Sequence, residues 1–292
     1  MFASDPDAYA TFNELYNPLL EELHDTLTED TKHPEVIEWG DKEFFEDLDK
    51  TGLFIKSIRI ICSRALEGYS FSPKLKVEEF QEIMNKIQPI LENFNDEELK
   101  GTFYALDGID PIVGKNLNND GVMFTNDDKL LISANAYRFW PVGRGVFVNH
   151  AKTFQVRINV EEHLEVISMD EGANLKNCYQ RLAKAMDLIN SSNLAFAKDP
   201  KLGFLAFNPS SLGNSIQVSV LVKIPKLMQP KNIEKIEGIA GANHISILDN
   251  GNGITKLCSS QKIGVTEFQS VMEFQNGMKE LLTMEKCQYM YE

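Results

Sequence analysis

The run Glu161-Glu162-His163 sets two carboxylates beside an imidazole, groups able to move protons near neutral pH. On residue type alone it reads as a solvated edge of a strand or loop. The other chemically capable set is the arginines. Arg59, Arg64, Arg138, Arg144, Arg157 and Arg181 are the six arginines among 29 basic residues, and none occurs from Leu182 to Glu292. Arginine presents a planar fork that clamps phosphate through two bonds, whereas lysine is a point charge. The histidines His24, His33, His150, His163 and His244 show no metal-ligand spacing with cysteine or carboxylate, so no metal is expected. Cys62, Cys178, Cys258 and Cys287 lie far apart with no CxxC pair and read as free thiols of a reducing, cytoplasmic compartment. There is no Walker loop, GxGxxG, HExxH, EF-hand loop or GxSxG. Gly238 to Gly241 is glycine-rich without a following Lys-Ser/Thr and reads as a loop. Phe139-Trp140 beside Arg138 reads as core packing before it reads as a stacking platform.

Elements must position these groups. Ser4-Asp5-Pro6-Asp7 reads as a helix start, and Phe12, Leu15, Tyr16, Leu19, Leu20 and Leu23 recur at helical spacing with Pro18 as a kink. Phe54–Cys62 reads as a strand, and Leu75–Phe94 as an amphipathic helix interrupted near Pro89. Short β-like runs follow at Thr102–Leu106, Leu130–Ser133, Gly145–Val148, Phe154–Ile158 and His163–Met169. Asn174–Ile189 reads as a helix, and Gly203–Phe207 and Ser215–Ile224 as strands. Asn243–Leu248 and Ile254–Cys258 read as a hairpin around Asn250-Gly251-Asn252-Gly253. Thr266-Glu267-Phe268-Gln269 opens the last helix as a capping box, running to about Met284. The sum is an α+β fold, a mostly antiparallel sheet carrying helices, with no repeat and no convincing linker.

A chain of 292 residues with 43% hydrophobic and 25% charged content can bury a sizeable core. Its net charge of −14 argues against nucleic acid and acidic membrane surfaces, and against loosely held polyanions unless a local basic cluster overrides the field. No apolar run approaches the ~20 residues of a membrane span. The start of the chain lacks the basic flank and apolar core of a signal peptide.

The segment Tyr137-Arg138-Phe139-Trp140-Pro141-Val142-Gly143-Arg144-Gly145-Val146-Phe147-Val148-Asn149 resembles the CRFWPxGRGIFHN stretch of the phosphagen kinases, the arginine and creatine kinase family. Thr153–Met169, Phe204–Leu227, Gly264–Gln269 and the arginine-kinase-like Gly101–Leu106 agree in order, so the resemblance runs from about Asp5 to the end. It implies the guanidino-kinase catalytic domain over 1–292, a curved antiparallel sheet flanked by helices as in glutamine synthetase, with 1–50 as a helical lead-in. The family's N-terminal helical domain, which reads the guanidino substrate, is expected to be absent.

Carried over residue by residue, the resemblance implies a degenerate site. Of the family's Ser-Thr-Arg-Val-Arg strand, Ser57 and Arg59 remain as nucleotide-binding remnants and the second arginine is Ile61. Two further phosphate arginines fall on Glu165, a charge reversal, and on Gln217. No arginine stands near Gly238–His244, where the last is expected. The adenine-site histidine falls on Val148, and a tryptophan on Arg157. The catalytic base falls on Glu161 as a vestige, its partner on Val160, and the reactive cysteine on Asn208. The flexible loop's glutamate has no clear counterpart.

Phosphoryl transfer depends on positioning and charge stabilisation. One charge-assisted contact contributes roughly 1.5–3 kcal/mol, so four losses would cost at least ~6 kcal/mol if additive. The expectation is a catalytically inactive structural or protein-interaction module without cofactor, in the cytoplasm and, by analogy with energy-hungry assemblies, in a cytoskeletal array such as a ciliary axoneme. The alternatives are an active arginine-kinase-type phosphotransferase using MgATP, and a nucleotide sensor that binds without turnover.

Overall fold

A computed structural model describes residues 1–290 except 25, 26, 29, 36 and 250–252. The strands are β1 (Ile55–Arg64), β2 (Gly101–Ala105), β3 (Gly145–Asn149), β4 (Phe154–Ile158), β5 (Leu164–Asp170), β6 (Lys198–Asp199), β7 (Gly203–Phe204), β8 (Ile216–Val222), β9 (Ile245–Asp249) and β10 (Thr255–Ser259). The helices are α1 (Ala8–Thr11), α2 (Asn13–Leu23), α3 (Val77–Glu92), α4 (Pro111–Asn119), α5 (Lys129–Ser133), α6 (Leu175–Asn190), α7 (Ile233–Ala242) and α8 (Glu267–Met290). Eight strands form one antiparallel sheet in the order β2-β3-β4-β5-β1-β8-β10-β9, while β6 and β7 pair separately. The α+β expectation holds.

Strand side chains alternate between faces. Ile58, Ile60, Cys62, Phe154, Val156, Ile158, Leu164, Val166, Val218 and Val220 point to one face, which is fully buried. Helices cover it with stripes at 3.6-residue spacing: Phe80, Ile83, Ile87 and Leu91 of α3, Leu175, Cys178, Leu182, Met186 and Ile189 of α6, and Val271, Phe274, Met278 and Leu281 of α8. At roughly 1.5–3 kcal/mol per buried large side chain, this layer is the main stabilising term. The opposite sheet face carries the residues singled out from the sequence.

Several local expectations are corrected. Leu130–Ser133 is part of α5 and not a strand, because Asp128 caps the turn by accepting from Leu130 N at 2.8 Å and Leu131 N at 3.0 Å. Gly238 and Gly241 lie inside α7, where Ile236 and Ala240 are anchored in the core. Burial of the apolar side overrides the weak helix propensity of glycine. Pro89 does not interrupt α3, and Pro18 sits inside α2. The Gly203–Phe207 strand shrinks to β7, and residues 205–212 become a loop with a short turn at Pro209–Ser211. The β9–β10 hairpin pairs as expected, although residues 250–252 of its turn lie outside the described residues. The capping box is present: Thr266 N donates to Gln269 Oε1 at 2.9 Å and Gln269 N to Thr266 Oγ1 at 3.2 Å. All four cysteines are free.

Candidate functional site

Strand register places the separated candidates side by side. Across the site face, Thr102, Val148, Gln155, Ile167, Ile61 and Gln217 form one cross-strand row through β2, β3, β4, β5, β1 and β8. Directly opposed residues on one face interact most strongly. Three positions that the family resemblance gives to nucleotide contacts, Val148, Ile61 and Gln217, therefore share a line that no longer carries a cation. The next row is Tyr104, Val146, Arg157, Glu165 and Ser63. Arg59 stands one row to the other side, between Met169 and Ser219.

The apolar replacements have joined a packed cluster. Val148, Val160 and Val146 are buried with Leu106, Leu117, Val122 and Phe124, and Trp140 and Tyr104 pack against them. Helix α4 and the segment after it supply the lid of this cluster. Phe124 stacks edge-on against Trp140 at 5.6 Å, and the Arg157 guanidinium lies 5.7 Å from the Phe124 ring. The packing expectation for Phe139-Trp140 holds for Trp140, which is held by Phe124 and Tyr137, and fails for Phe139, which is 43% exposed.

Of the six arginines, four serve the scaffold. Arg64 pairs with Glu267 at 3.2 Å inside the protein. Arg144 donates to Ala136 O and Val142 O and stacks over Phe80 and Trp140. Arg138 donates to Pro73 O, and Arg181 to Thr153 O, Ser168 Oγ and Met169 O. Arg59 and Arg157 remain on the site face. With the Gln155 amide turned so that its carbonyl faces them, its oxygen accepts from Arg59 Nη2 at 2.9 Å and Arg157 Nη2 at 3.3 Å. Glu165, opposite Arg157 across the β4–β5 ladder, is half-buried, and desolvation pushes its pKa up to about 7 while Arg157 and Arg59 pull it down. Burial and the neighbouring Arg157 lower the pKa of Arg59, and Glu165 opposes them. The central site face thus sets one carboxylate against two guanidinium groups.

Ser57 and Arg59 line a cleft of about 480 Å³ with Asp120, Asp170, Glu171 and Lys256, so three of its charged groups are carboxylates.

Glu161 lies at the far end, in the tight turn between β4 and β5 that Asn159 closes at φ 58°. Its Oε1 accepts from Asn208 Nδ2 at 2.6 Å, so the two side chains that the resemblance assigns to the base and to the reactive-cysteine position touch each other. Asn208 Oδ1 also accepts from Ser210 N and Oγ, and buried Lys262 donates to Ser210 O at 2.6 Å. The N-terminal segment supports this loop: Phe2 stacks on Phe207 at 4.6 Å, and Tyr9 Oη donates to Ala206 O at 2.6 Å.

The Glu161-Glu162-His163 run is not a solvated edge, as its types suggested. Glu162 is 2% exposed and accepts from Phe207 N at 2.9 Å and Asn208 N at 3.0 Å. Burial raises its pKa to about 8 against the pull of these amides. His163 is buried, with Nδ1 accepting from Leu66 N and Nε2–H donating to Ser70 O, each at 3.0 Å. That arrangement fixes a neutral tautomer, and burial lowers the pKa to about 4. A depressed histidine stabilises the fold fully above its unfolded pKa of about 6.5 and less as pH falls, so about 3 kcal/mol should be lost by pH ~4. Urea unfolding near neutrality and near pH ~4.5 checks this, and His163→Gln should show the smaller drop. An equal drop would place the acid sensitivity elsewhere.

Residues 82–288 match the family described as ATP:guanido phosphotransferase, C-terminal catalytic domain. The chain belongs to this family. Arginine kinase from Limulus polyphemus is 39% identical over 98% of this chain and 81% of its own length. A substrate-free duplicated taurocyamine kinase from Schistosoma mansoni superimposes with a TM-score of 0.90 at 35% identity, over 97% of this chain. This chain spans 41% of the length of that duplicated protein. A lombricine kinase superimposes at 0.89 with 25% identity, over the whole of this chain and 82% of its own. The guanidino kinase framework is thus kept. The Gln155–Arg157–Glu165 contact escaped the sequence reading. Its signal was the paired appearance of Arg157 and Glu165, whose register cannot be read from spacing.

Proposed function

We propose that this chain is a non-catalytic member of the ATP:guanido phosphotransferase family that works as a structural or protein-interaction module. The observation that carries the proposal is the cation-free row Val148–Gln155–Ile167–Ile61–Gln217. A polyphosphate laid on that face would meet the apolar side chains of Val148 and half-buried Ile61 where charge-assisted donors are needed. The donor set does not fit MgATP. The two arginines left on the face are answered by Gln155 and Glu165. Exposed Ile112, Leu130 and Ile132 offer apolar contact for a protein partner. A cytoplasmic cytoskeletal array, including a ciliary axoneme, is the setting we propose to search for it.

Calorimetric titration with MgATP, arginine and nitrate tests the proposal. The expected result is no heat at millimolar nucleotide, because contact losses of ~6 kcal/mol weaken binding by about four orders of magnitude. Micromolar binding would overturn it and call for a turnover assay with Glu161→Gln. Binding without turnover would favour the sensor reading, for which the cleft beside Ser57 and Arg59 provides room.

A further inference from the structure

Helix α2 is apolar over more of its surface than it buries. Its inner side is fixed on the scaffold: Tyr16 and Leu20 are buried in one cluster with Tyr9, Phe71 and Leu205. Tyr16 Oη donates to Phe2 O at 2.9 Å, and His24 just past the helix meets Pro209 O through Nε2 at 2.9 Å. On the outward side Phe12, Leu15 and Leu23 are 53%, 58% and 40% exposed, and Leu19 is half-buried. Residues four apart share a helix face, so Leu15, Leu19 and Leu23 make one stripe, which Phe12 extends at the α1–α2 junction. From Phe12 to Leu23 the stripe runs about 16 Å at about 1.5 Å per residue, or about three turns. An ordered apolar stripe left in water marks a contact surface, whereas scattered single residues do not.

The charge around the stripe is of one sign. Glu14, Glu21 and Glu22 are exposed, and α2 carries no lysine or arginine. Among the described residues none of these three carboxylates has a salt bridge. Nearby Asp5 is already answered by Lys74 at 2.8 Å. Lys201 lines a groove beside Glu21, but Asp199 stands there with it. A second copy of the chain laid on the stripe would set the same carboxylates against each other, and an anionic membrane would meet the same repulsion. A helix with its own apolar stripe between lysines or arginines matches both the apolar face and its acidic flanks.

We propose that the outer face of α2 docks a basic amphipathic helix of a partner protein, with Phe12, Leu15 and Leu23 as apolar anchors and Glu14, Glu21 and Glu22 as its ionic flank. The proposal rests on the interaction-module reading and gives that module a surface and a partner chemistry. The partner places apolar residues at i, i+3, i+4 and i+7 against the leucines, the pattern by which one helix lies along another. Glu14 and Glu21, seven residues apart, hold one flank, and Glu22 stands two turns beyond Leu15 at the edge of the stripe. Because the inner side of α2 is already packed, the outer side is preorganised and little ordering is left for binding to oppose.

The probe is a labelled peptide of about eighteen residues built from leucine and lysine at that spacing, beside a counterpart with glutamate for lysine. Fluorescence anisotropy near ~0.15 M salt should show binding of the basic peptide in the micromolar range and none of the acidic one. Leu15→Ser with Leu23→Ser should weaken binding about tenfold or more. Glu14→Gln with Glu21→Gln and Glu22→Gln should weaken it about tenfold and flatten its salt dependence. All five side chains are exposed, and thermal melting checks that the variants stay folded. No binding of the basic peptide by the wild-type chain overturns the proposal, and this arm needs no variant. Equal binding by the two-serine variant overturns it as well, because attraction would then follow the net charge of −14 and not the stripe. Sedimentation velocity of the chain alone tests the homotypic case: a dimer that the two serines dissolve would assign the stripe to a second copy and overturn the partner helix. Micromolar MgATP binding in the calorimeter is a separate result, which overturns the non-catalytic reading and leaves the peptide affinities standing.

Discussion

Replacing Glu267 by alanine is expected to lower the unfolding free energy by about 3–5 kcal/mol, the usual cost of leaving one partner of a buried ion pair uncompensated. Arg64 is 1% exposed and Glu267 2%. The Arg64 guanidinium lies 3.5 Å from the Phe204 ring centroid, and its Nη1 donates to Ser63 O and Asn214 O. Glu267 Oε1 accepts from Arg64 Nη2, while Oε2 accepts from Glu38 N at 3.2 Å. One carboxylate thereby ties the end of β1, the start of α8 and the strap around residue 38. Removing it strands a guanidinium that water cannot reach, and it frees the strap. Chemical denaturation of the variant beside wild type is the measurement. A loss below about 1 kcal/mol would mean that the buried charge relaxes to solvent and the pair is not a structural clamp. Removing both partners, as Arg64→Met with Glu267→Leu, should cost less than Glu267→Ala alone, because no charge is left buried.

The second large effect is expected at Gly143. Its φ is +66°, and a Cβ there would lie 2.4 Å from the carbonyl carbon of Phe80 and 2.6 Å from its oxygen. Asn159 Nδ2 donates to both Phe80 O at 3.0 Å and Gly143 O at 2.7 Å, so the two backbones are clamped at this separation. Alanine adds about 1–2 kcal/mol of left-handed backbone cost to about 1–3 kcal/mol of overpacking. Gly143→Ala should therefore lose about 2–5 kcal/mol, read as a lower denaturation midpoint with an unchanged slope. The collision is with main-chain atoms of α3, which cannot rotate away. A loss near 1 kcal/mol would show that α3 shifts to make room. The same contact orients the β4–β5 turn that carries Glu161, so the variant also links scaffold packing to the site.

The helical layer was legible because its stripes are long and regular, as in α6 from Leu175 to Ile189. The long strand β1 was legible for the same reason. Helices α4, α5 and α7 were not. Asp110 followed by Pro111 carried a cap-and-proline start signal, and its side chain does accept from Ile112 N and Val113 N. In α5 the three-residue apolar run Leu130-Leu131-Ile132 is too short to carry a period that distinguishes strand from helix. In α7 the glycines mask a helix that tertiary packing holds. At the site, Arg59, Glu161 and Asn208 were singled out by the family resemblance and not by residue type. The burial of Glu162 and His163 was out of reach, because it depends on Ser70, Leu66 and Phe207, which the fold brings in from elsewhere. The alignment of Val148, Ile61 and Gln217 into one row is likewise a property of register.

The placement of the two tryptophans gives the molecule an optical reporter of its own. Trp39 is packed in the helical layer against Tyr179, far in the core from the site face. Trp140 sits against Phe124, whose ring covers Arg157. Emission from one indole follows the state of the core, and emission from the other follows the packing over Arg157. Occupancy of that face should change the spectrum through Trp140 while Trp39 supplies an internal reference, so binding and unfolding are separable in a single cuvette without any label.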